Sequence, residues 1–571
     1  MSRGIFRTRL ALLSVAFVFA SLAVIAVRVA AQSSPATPHT VYFLHGRIYT
    51  NDPQHPWAAA MAIREGKIFC IGGLDQIMLE CGGGQEGAET VQLKGNFVVP
   101  GFNDAHVHLG GAGADMLAVR LNGSASVDEL QKRLAEAVAT HQGDEWITGS
   151  GWDHTLWPDK AFPSKQQLDA VSPKNPVLLT HVSGHVAVAN SLALKIAGIT
   201  KDSPNPKGGE IERDANGEPT GMLKEDAAMS LVAQNIPDPS AEQRRRGIEL
   251  VLADVAKNGV TSVQDNSDWE DFLVYHDLKD EGKLTVRITE WLHFTTPLRE
   301  LQNMRSEGGA SDPWLKTGAL KMVTDGALGS RTAAMLTPYS DDPSTSGIMT
   351  MDPDKLRQMA IERDKAGFQL AFHAIGDRAN RVALDVFEAV AKGNGPRDRR
   401  DRIEHAQVVA PEDVPRFANL KVIASMQPSH QTSDMRWAEQ RVGPDRVKGA
   451  YAWATLQKGG ARLAFGTDYP VEPISPMRGL YACVTREFPD GGPPSGWQPQ
   501  EKISLDDCIR AYTTGSAYAQ FEEGRKGELK RGEYADFVVL SNDLTKVPPS
   551  EFVKTKVLRT VVGGRTVYQA P

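Results

Sequence analysis

The sequence predicts an α/β protein centred on a TIM-like (β/α)8 barrel, with a split β-sandwich formed from both termini and an inserted subdomain. Three observations support this prediction. Strand-like segments alternate eight times with amphipathic helical stretches, which is typical of a parallel barrel. Short strand-like segments separated by turn residues occur near both ends of the chain. Far more residues than a loop needs separate the first two barrel segments.

Residues 1–31 have the pattern of a secretory signal peptide, so we expect the protein to be exported, to the periplasm or the medium. An apolar stretch at 10–27 follows a cationic start and precedes small residues of the kind that signal peptidase accepts. The alternative is an uncleaved membrane anchor, because the stretch approaches the length that spans a bilayer. No other segment is apolar enough to cross a membrane.

Length and charge are those of a large soluble enzyme. The 571 residues have a net charge of −7, and the segment 1–31 contains four arginines and no acidic residue. The mature chain would therefore have 571 − 31 = 540 residues and a charge of −7 − 4 = −11. This length suits one barrel plus a smaller domain. The acidic balance argues against nucleic acid as a partner. We expect a small-molecule substrate of amide type. A homodimer is possible, and the sequence does not decide the oligomeric state.

The chain contains four cysteines, at positions 70, 81, 483 and 508. In an exported protein Cys70 and Cys81 are close enough in sequence to pair, and free buried thiols are the equal alternative. None of the four has a spacing that suggests a zinc site.

The two ends of the chain, 39–100 and 524–571, each contain too few strands for a complete sandwich. We therefore expect the two pieces to complete one another. The predicted strands are 41–44, 46–50, 60–63, 67–71, 534–540 and 558–568.

The barrel is expected at 101–523, with the insertion at about 111–245. The insertion should sit on the catalytic face, because strand-to-helix loops emerge there. Predicted helices include 354–366, 377–391 and 446–457. The eight barrel strands are predicted to start near Phe97, Val260, Leu284, Gly318, Gln369, Arg402, Val422 and Leu463.

Five of the strand-like segments end in residues that bind metals. Because the carboxyl ends of barrel strands converge on one mouth, these side chains should meet. Four His, one Lys and one Asp would hold two divalent metals with a shared hydroxide, which indicates a hydrolase. The six residues are His106, His108, Lys321, His373, His405 and Asp468.

Taken singly, each of these signals is weak. His106 and His108 alternate on a strand and so share a face, but isolated histidines are more often hydrogen-bonded core residues. Lys321 is the least expected, because an unpaired lysine inside a barrel is costly. A neutral buried amine can react with carbon dioxide to give a carbamate, whose two oxygens can bridge two metals. Together, the signals at corresponding strand ends predict one site.

Six motifs resemble those of a known family: PGFNDAHVH at 100–108, GWDH at 151–154, SGH at 183–185, DGALGSRT at 325–332, HAIGDRA at 373–379 and GTDYP at 466–470. They resemble the amidohydrolase superfamily of metal-dependent hydrolases. The more specific likeness is to the amidohydrolase-3 branch, which includes relatives of N-substituted formamide deformylases. The resemblance extends from about 41 to 568 and includes the split sandwich.

The resemblance implies two divalent metals, which we expect to be zinc. His106, His108 and Asp468 would bind one, His373 and His405 the other, and a carboxylated Lys321 would bridge them. In the family, deaminases usually have one metal and lack the lysine, so Lys321 favours amide hydrolysis over ring deamination. A hydroxide between two cations is a nucleophile at neutral pH.

Asp468 is the predicted catalytic base and acid, because a carboxylate there can take the hydroxide proton and deliver it to the leaving nitrogen. By the resemblance, His430 is expected to contact the substrate or the oxyanion. Gly326, Ser330 and Arg331 follow the Lys321 strand and should lie over the pocket. Arg331 would either bind a substrate carboxylate or hold its loop through a salt bridge.

In the insertion, His154 and His185 are candidates for the substrate entrance, together with Asp153. The alternative is structural hydrogen bonding within the subdomain. Trp152 and Trp157 would form an apolar pocket wall or the core of the insertion.

The predicted function is an exported metal-dependent amidohydrolase that cleaves an amide- or formamide-type C–N bond other than a peptide bond. One alternative is a lactonase, esterase or phosphoester hydrolase on the same site. The other is a non-catalytic metal-binding protein. The sequence does not specify the substrate.

Overall fold

A computed structural model describes residues 39–83, 88–141, 143–309 and 311–571. The predicted signal peptide lies outside these residues. The described chain forms four β-sheets and their covering helices. None of its helices has both the length and the apolar character needed to span a bilayer.

The central sheet is a nearly closed barrel of eight parallel strands in sequential order, which confirms the predicted fold class. The last strand meets the first through a parallel bridge between Val107 and Tyr469. The first two strands are buried along their whole length, as expected for strands covered on both faces. The eight barrel strands are Phe102–Val107, Val260–Asp265, Arg287–His293, Leu315–Val323, Leu370–Ala374, Arg402–His405, Ile423–Met426 and Arg462–Phe465.

The predicted start of the first barrel strand near Phe97 is wrong. Phe97–Pro100 belongs to the sandwich, and the chain crosses into the barrel at Gly101. A Cβ on Gly101 would lie 2.1 Å from Thr261 Oγ1, so a larger residue does not fit this crossing. The apolar run at 97–99 looks like a barrel strand because it is equally buried in the sandwich.

The helix predicted at 446–457 is also wrong. The chain there forms the end of the helix Ala438–Arg446, a 3-10 turn Val447–Gly449 and a separate helix Trp453–Lys458. Between them, Ala450 bridges to Val408, and Tyr451 has a φ of 52°. The β-bridge between Val408 and Ala450 interrupts the chain at this point, although the apolar residues of 446–457 recur with the spacing of a helix.

Helices cover the barrel and the other sheets. The α-helices of the described residues are Leu74–Leu79, Leu109–Leu117, Val127–Val138, Lys165–Val171, Ser191–Ile196, Glu225–Ala233, Ala241–Lys257, Trp269–Asp280, Leu298–Gly308, Pro353–Lys365, Asp377–Asn394, Val414–Leu420, Pro428–Asp434, Ala438–Arg446, Trp453–Lys458, Pro476–Thr485, Leu505–Arg510 and Ser516–Ala519.

Two further sheets are built from the chain ends. One has the strand order Lys67–Gly72, Ala60–Arg64, Thr40–Leu44 and Glu89–Gln92. The other mixes both ends, in the order Arg565–Gln569, Val557–Val562, Phe537–Leu540, Phe97–Pro100, Arg47–Tyr49 and Trp57–Ala58.

Buried side chains from both ends share one cluster that includes Phe43, Ile48 and Phe537. The predicted strand 558–568 is a hairpin that turns at Gly563 and Gly564. Arg287 on the third barrel strand donates two hydrogen bonds to Asp536, at 2.6 and 3.0 Å, and so ties the barrel to the sandwich.

Between the first and second barrel strands, the chain forms a six-stranded sheet of its own. Trp152 and Trp157 are buried in a cluster beside this sheet, so they belong to the core of the insertion. The strands follow the order Glu210–Arg213, Pro219–Lys224, Val186–Ala189, Val177–His181, Ile147–Trp152 and Val119–Arg120.

All four cysteines are in disulfides. Cys70 pairs with Cys81, which was one of the two alternatives, and Cys483 pairs with Cys508. The second pair was not anticipated, because its members lie on two helices that pack together only in the folded chain.

Candidate metal centre

The predicted metal ligands meet at the carboxyl end of the barrel. Lys321 Nζ lies 2.9 Å from His106 Nε2. His108 Nε2 lies 3.0 Å from Asp468 Oδ1, and His106 Nε2 lies 3.5 Å from the same oxygen. The His405 ring is centred 5.1 Å from that of His106. The barrel therefore brings residues from the ends of four strands together.

His373 completes this group from the fifth strand. Its ring centre lies 4.7 Å from that of His405. It belongs to neither of the two groups of three at this centre whose ligand atoms all lie within 4.8 Å of one another. These groups are His106, His108 and Asp468, and His405, His430 and Asp468. Asp468 belongs to both groups and so stands between them.

Each of the four histidines has its Nδ1 atom engaged away from the centre. The partners are Glu404 Oε2 for His106 at 2.9 Å, the Asn266 carbonyl for His108 at 2.9 Å, Asp325 Oδ1 for His373 at 3.0 Å, and Gln427 Oε1 for His405 at 2.8 Å. The His373 contact is close but not well aligned for a hydrogen bond. A proton held on Nδ1 leaves the Nε2 lone pair free, which is how metal-binding histidines are oriented.

Arg402 and Glu404 form a buried ion pair beneath His106. Arg402 also donates to Gln264, to Ser425 Oγ at 2.7 Å and to the Ala105 carbonyl at 2.9 Å. The positive charge of Arg402 and the hydrogen bond to His106 outweigh the effect of burial and lower the pKa of Glu404 to about 2. A permanent carboxylate therefore holds the His106 ring.

Burial decides the direction of the pKa change at the basic groups His106 and Lys321, but not at Asp468. It lowers the pKa of His106 to about 4, with a further contribution from the charge of Lys321. It also lowers the pKa of Lys321 to about 8, although Glu404 and Asp468 oppose this change. Burial raises the pKa of Asp468, but His106 and His108 more than compensate and hold it well below its usual value. The centre thus combines neutral imidazoles, an ionised carboxylate and a lysine that is partly neutral near pH 8.

Two of these residues have left-handed backbone conformations. The φ angle is 76° at His405 and 59° at Asp468. Neither residue is glycine, so each conformation is strained, and such strain is concentrated at functional sites. The surrounding structure maintains these angles to direct both side chains into the centre.

His430 lies beside the centre at the start of the helix Pro428–Asp434. Its ring stacks on that of His405, with 5.8 Å between centres and 12° between planes. Its Nε2 atom is buried, lacks a hydrogen-bond partner among the described residues, and lies 3.6 Å from Asp468 Oδ2. This nitrogen is therefore available to bind a ligand beside Asp468.

The loop after the Lys321 strand starts at the centre. Asp325 contacts His373 and accepts hydrogen bonds from the backbone of Gly376 and Ala334. Ser330 Oγ contacts Thr332 Oγ1 at 2.8 Å, and a Cβ on Gly326 would lie 2.1 Å from the same Thr332 atom. These contacts describe a tight loop stabilised by its own side chains.

Arg331 uses its guanidinium within this loop. Its Nε and one terminal nitrogen donate to Asp341 at 3.0 and 2.9 Å. Of the two alternatives for Arg331, the structure favours the loop salt bridge over a substrate carboxylate.

The two histidines predicted to line the entrance, His154 and His185, lie next to strands of the six-stranded sheet in the insertion. His185 is exposed, and its Nδ1 lies 3.0 Å from Glu225 Oε2. His154 groups with Asp153 and His181. Neither has a described contact with the six residues of the centre, so their role at a substrate entrance stays a prediction.

Sequence reasoning missed the residues that orient the ligands, namely Arg402, Glu404, Asn266 and Gln427. One signal was present. Arg402 and Glu404 are alternate residues of a short strand whose other members are buried, which places two opposite charges on one face inside a barrel. Charges at such positions are almost always paired.

The donor set fits divalent metals. Imidazole nitrogen and carboxylate oxygen are ligands that zinc accepts, and the ligand atoms of each group of three lie within 4.8 Å of one another. The engaged Nδ1 atoms supply the outer contacts that such sites need.

Known proteins share this architecture over most of the chain. The pattern of the amidohydrolase family matches residues 89–568. The Arabidopsis thaliana protein LONG AFTER FAR-RED 3 is 39% identical over 536 residues, which are 92% of this chain and 91% of that protein. N-substituted formamide deformylase of Arthrobacter pascens is 27% identical over 547 residues, 92% of this chain and 98% of that protein.

A solved structure agrees. The crystal structure of an uncharacterized metal-dependent hydrolase from Pyrococcus horikoshii has a TM-score of 0.72 and 30% identity, and covers 89% of this chain and 99% of that one. The resemblance seen in the motifs is therefore confirmed, and this chain belongs to the amidohydrolase family.

Proposed function

We propose that the protein is an exported amidohydrolase that uses two divalent metals, assigned as zinc from the ligand types, to cleave an amide- or formamide-type C–N bond other than a peptide bond. The observation that carries the proposal is the set of four histidines with engaged Nδ1 atoms around Asp468 and Lys321. The formamide deformylase relative supports the bond type, because its name describes hydrolysis of a formamide C–N bond.

His106, His108, His373, His405 and Asp468 would hold the metals, and a carboxylated Lys321 would bridge them. When bound, the metals supply an activated water and polarise the substrate carbonyl. The chain's own residues then position the reactants and move the proton.

Asp468 is the proposed proton carrier. It is ionised, since its pKa is held well below the usual value by His106 and His108 despite burial. Its two oxygens face different neighbours, with Oδ1 toward His108 and Oδ2 toward His430. It can take a proton from the attacking water and give it to the departing nitrogen, which makes the amine a neutral leaving group.

His430 is proposed to contact the substrate. The unpartnered Nε2 can donate a hydrogen bond to the carbonyl oxygen as negative charge develops there. The stacking on His405 fixes the ring in place, so this donor would not have to reorganise during the reaction.

Lys321 is proposed to carry a carbamate. Burial lowers its pKa to about 8, so part of the amine is neutral in the physiological range. The neutral nitrogen forms a bond to the carbon of carbon dioxide and releases one proton, which gives an anionic carbamate with two oxygens. That reaction replaces a buried neutral amine by an anion, which suits a position between metals.

Export is proposed from the signal pattern at 1–31. The two disulfides support it, because stable disulfides are typical of oxidising compartments outside the cytosol. Fractionation of cells, with N-terminal sequencing of the mature protein, tests both export and cleavage after Ala31.

A substrate panel tests the activity. Protein purified without chelator is assayed with formamides, N-acyl amino acids, simple amides, lactones and phosphoesters. We expect release of amine from members of the first three classes, loss of turnover with chelator, and recovery with added zinc. Faster turnover of lactones or phosphoesters would contradict the C–N bond assignment. No turnover of any class by metal-loaded protein would favour a non-catalytic metal-binding protein.

A further inference from the structure

We propose that the insertion contains a separate binding site for a zinc-class divalent cation, formed by Asp153, His154 and His181. Their ligand atoms all lie within 4.8 Å of one another. His181 ends one strand of the six-stranded sheet between the first two barrel strands, and Asp153 and His154 directly follow the neighbouring strand. The amidohydrolase chemistry proposed above does not use these three residues.

The fold places these residues together for a simple reason. The strands Ile147–Trp152 and Val177–His181 are adjacent and parallel, and Trp152 is in register with His181. Asp153 and His154 directly follow the first strand, and His181 ends the second. Side chains at the carboxyl ends of neighbouring parallel strands face the same crevice, where open α/β sheets bind ligands.

Two buried nitrogen atoms in the cluster lack partners. Nδ1 of His154 and Nε2 of His181 are buried, and neither has a hydrogen-bond partner among the described residues. Such atoms normally have partners, because an unsatisfied buried polar group costs about 1–3 kcal/mol. Two orphaned imidazole nitrogens beside one carboxylate are explained by a group that bonds to both.

The distances favour a cation over a direct contact. His181 Nε2 lies 3.8 Å from Asp153 Oδ1, which is too long for a hydrogen bond. Two ligands on one tetrahedral zinc ion lie roughly 3.4 Å apart, given metal–ligand distances of about 2.0–2.1 Å. A small inward movement of two side chains would therefore bring both atoms to bonding distance.

The surroundings prepare these side chains for metal binding. Thr155 donates from its backbone nitrogen and its hydroxyl to Asp153 Oδ1, at 2.9 and 2.7 Å, which keeps the carboxylate ionised. Trp152 packs edge-on against His181, with ring centres 4.6 Å apart, and Phe162 lies 4.2 Å from His154. These two aromatic rings line one side of the cluster.

Ser183 sets the tautomer of His181. Its hydroxyl lies 2.8 Å from His181 Nδ1 and can accept the Nδ1 proton, which leaves the Nε2 lone pair toward the cluster. The Ser183 backbone N–H also points at Nδ1, at 3.1 Å, and favours the other tautomer. A cation would select the first tautomer. Two imidazoles and one carboxylate leave a fourth position for water, as in zinc sites with three protein ligands.

The test counts ions in full-length protein. Wild type, His181→Gln and His185→Gln are stripped with chelator, dialysed against zinc and analysed for metal and protein. His185→Gln is the matched control, because His185 lies in the same loop but is exposed beside Glu225. Ions in the barrel are present in all three proteins and cancel in the comparison.

We expect His181→Gln to bind fewer ions than wild type by about one per chain, and His185→Gln to match wild type. Equal counts in wild type and His181→Gln would overturn the proposal. Circular dichroism shows whether each variant is folded. If His181→Gln does not fold, Asp153→Asn is counted in its place, since it keeps the side-chain shape, and a wild-type count for that variant overturns the proposal equally.

Discussion

Glu404 Oε2 lies 2.9 Å from Nδ1 of His106, although 298 positions separate the two residues. This contact fixes the ring whose other nitrogen faces Lys321 and Asp468. Arg402 in turn holds the carboxylate. The ion pair of Arg402 and Glu404 thus orients a metal-ligand candidate, although neither residue takes a direct part in the proposed chemistry.

The first prediction concerns this support. In Glu404→Gln, the anion that orients His106 is lost, so we expect metal affinity to fall about 10–100-fold, as is usual when such an outer contact is removed. Arg402 keeps its bonds to Gln264, Ser425 and Ala105. Competition titration against a chromophoric chelator measures the change. The control is Glu412→Gln, which removes a surface partner of Arg381 and should bind metal like wild type. An unchanged metal affinity in Glu404→Gln would disprove the proposed role of Glu404 in orienting His106.

The second prediction concerns Lys321. We expect Lys321→Ala to lose most activity and a short carboxylic acid with added metal to restore part of it. In metal-free wild type, burial lowers the pKa of this amine to about 8, so it is mainly protonated below that pH and mainly neutral above it. At a fixed concentration of dissolved carbon dioxide, reactivation of the stripped protein with zinc should therefore become faster as the pH rises through about 8. A rate that is flat across this range, or high-resolution density for a bare amine in loaded protein, would count against the carbamate.

The third prediction concerns Asp468. Asp468→Asn keeps the size and one ligand oxygen but removes the base, so kcat should fall by roughly 10²–10⁴ while some metal is retained. The acidic limb of the wild-type pH–rate profile should report a coupled unit that includes Asp468 and the attacking water, not one group alone. Near-wild-type kcat for the variant would show that Asp468 is not the proton carrier.

The fourth prediction separates two roles for His430. A hydrogen-bond donor to the oxyanion contributes to kcat, so His430→Phe should lower kcat by about 10²–10³ with metal content unchanged. If His430 is instead a metal ligand, as its grouping with His405 and Asp468 permits, the metal content will fall with the activity. Metal analysis alongside kcat and KM distinguishes these results.

The fifth prediction concerns stability. Arg287 and Asp536 are both buried and joined by two hydrogen bonds. Asp536→Asn leaves Arg287 without its counter-charge, and the free energy of unfolding should fall by about 3–5 kcal/mol. Glu281→Gln breaks the exposed pair with Arg245 and should change stability little. Denaturant unfolding measures both, and similar small losses would show that the barrel and sandwich do not depend on this ion pair.

The sequence was sufficient for the barrel and for the convergence of the six ligand candidates, because strand–helix alternation is local and parallel strand ends must meet. The sequence did not predict other contacts between residues that lie far apart along the chain. The partner of His106 lies on the sixth strand, and the bridge from Val408 to Ala450 that breaks the predicted helix has no local signal. The first barrel strand was predicted to start near Phe97, inside the segment 39–100 that we expect to form the sandwich, because burial alone does not distinguish one sheet from another. The loop ion pair of Arg331 was one of two alternatives, and the sequence does not distinguish them because Asp341 approaches Arg331 only in the folded loop.

The pairing of Phe97–Pro100 with Phe537–Leu540 has a consequence for the order of assembly. The first of these strands leaves the ribosome early, whereas its antiparallel neighbour is among the last segments synthesised. Until then, one edge of an apolar strand has unpaired backbone groups and can associate with other chains. A chain that crosses a membrane before it folds avoids this interval, because both strands are present when folding starts. Chaperone dependence would therefore be greatest for protein retained in the cytosol.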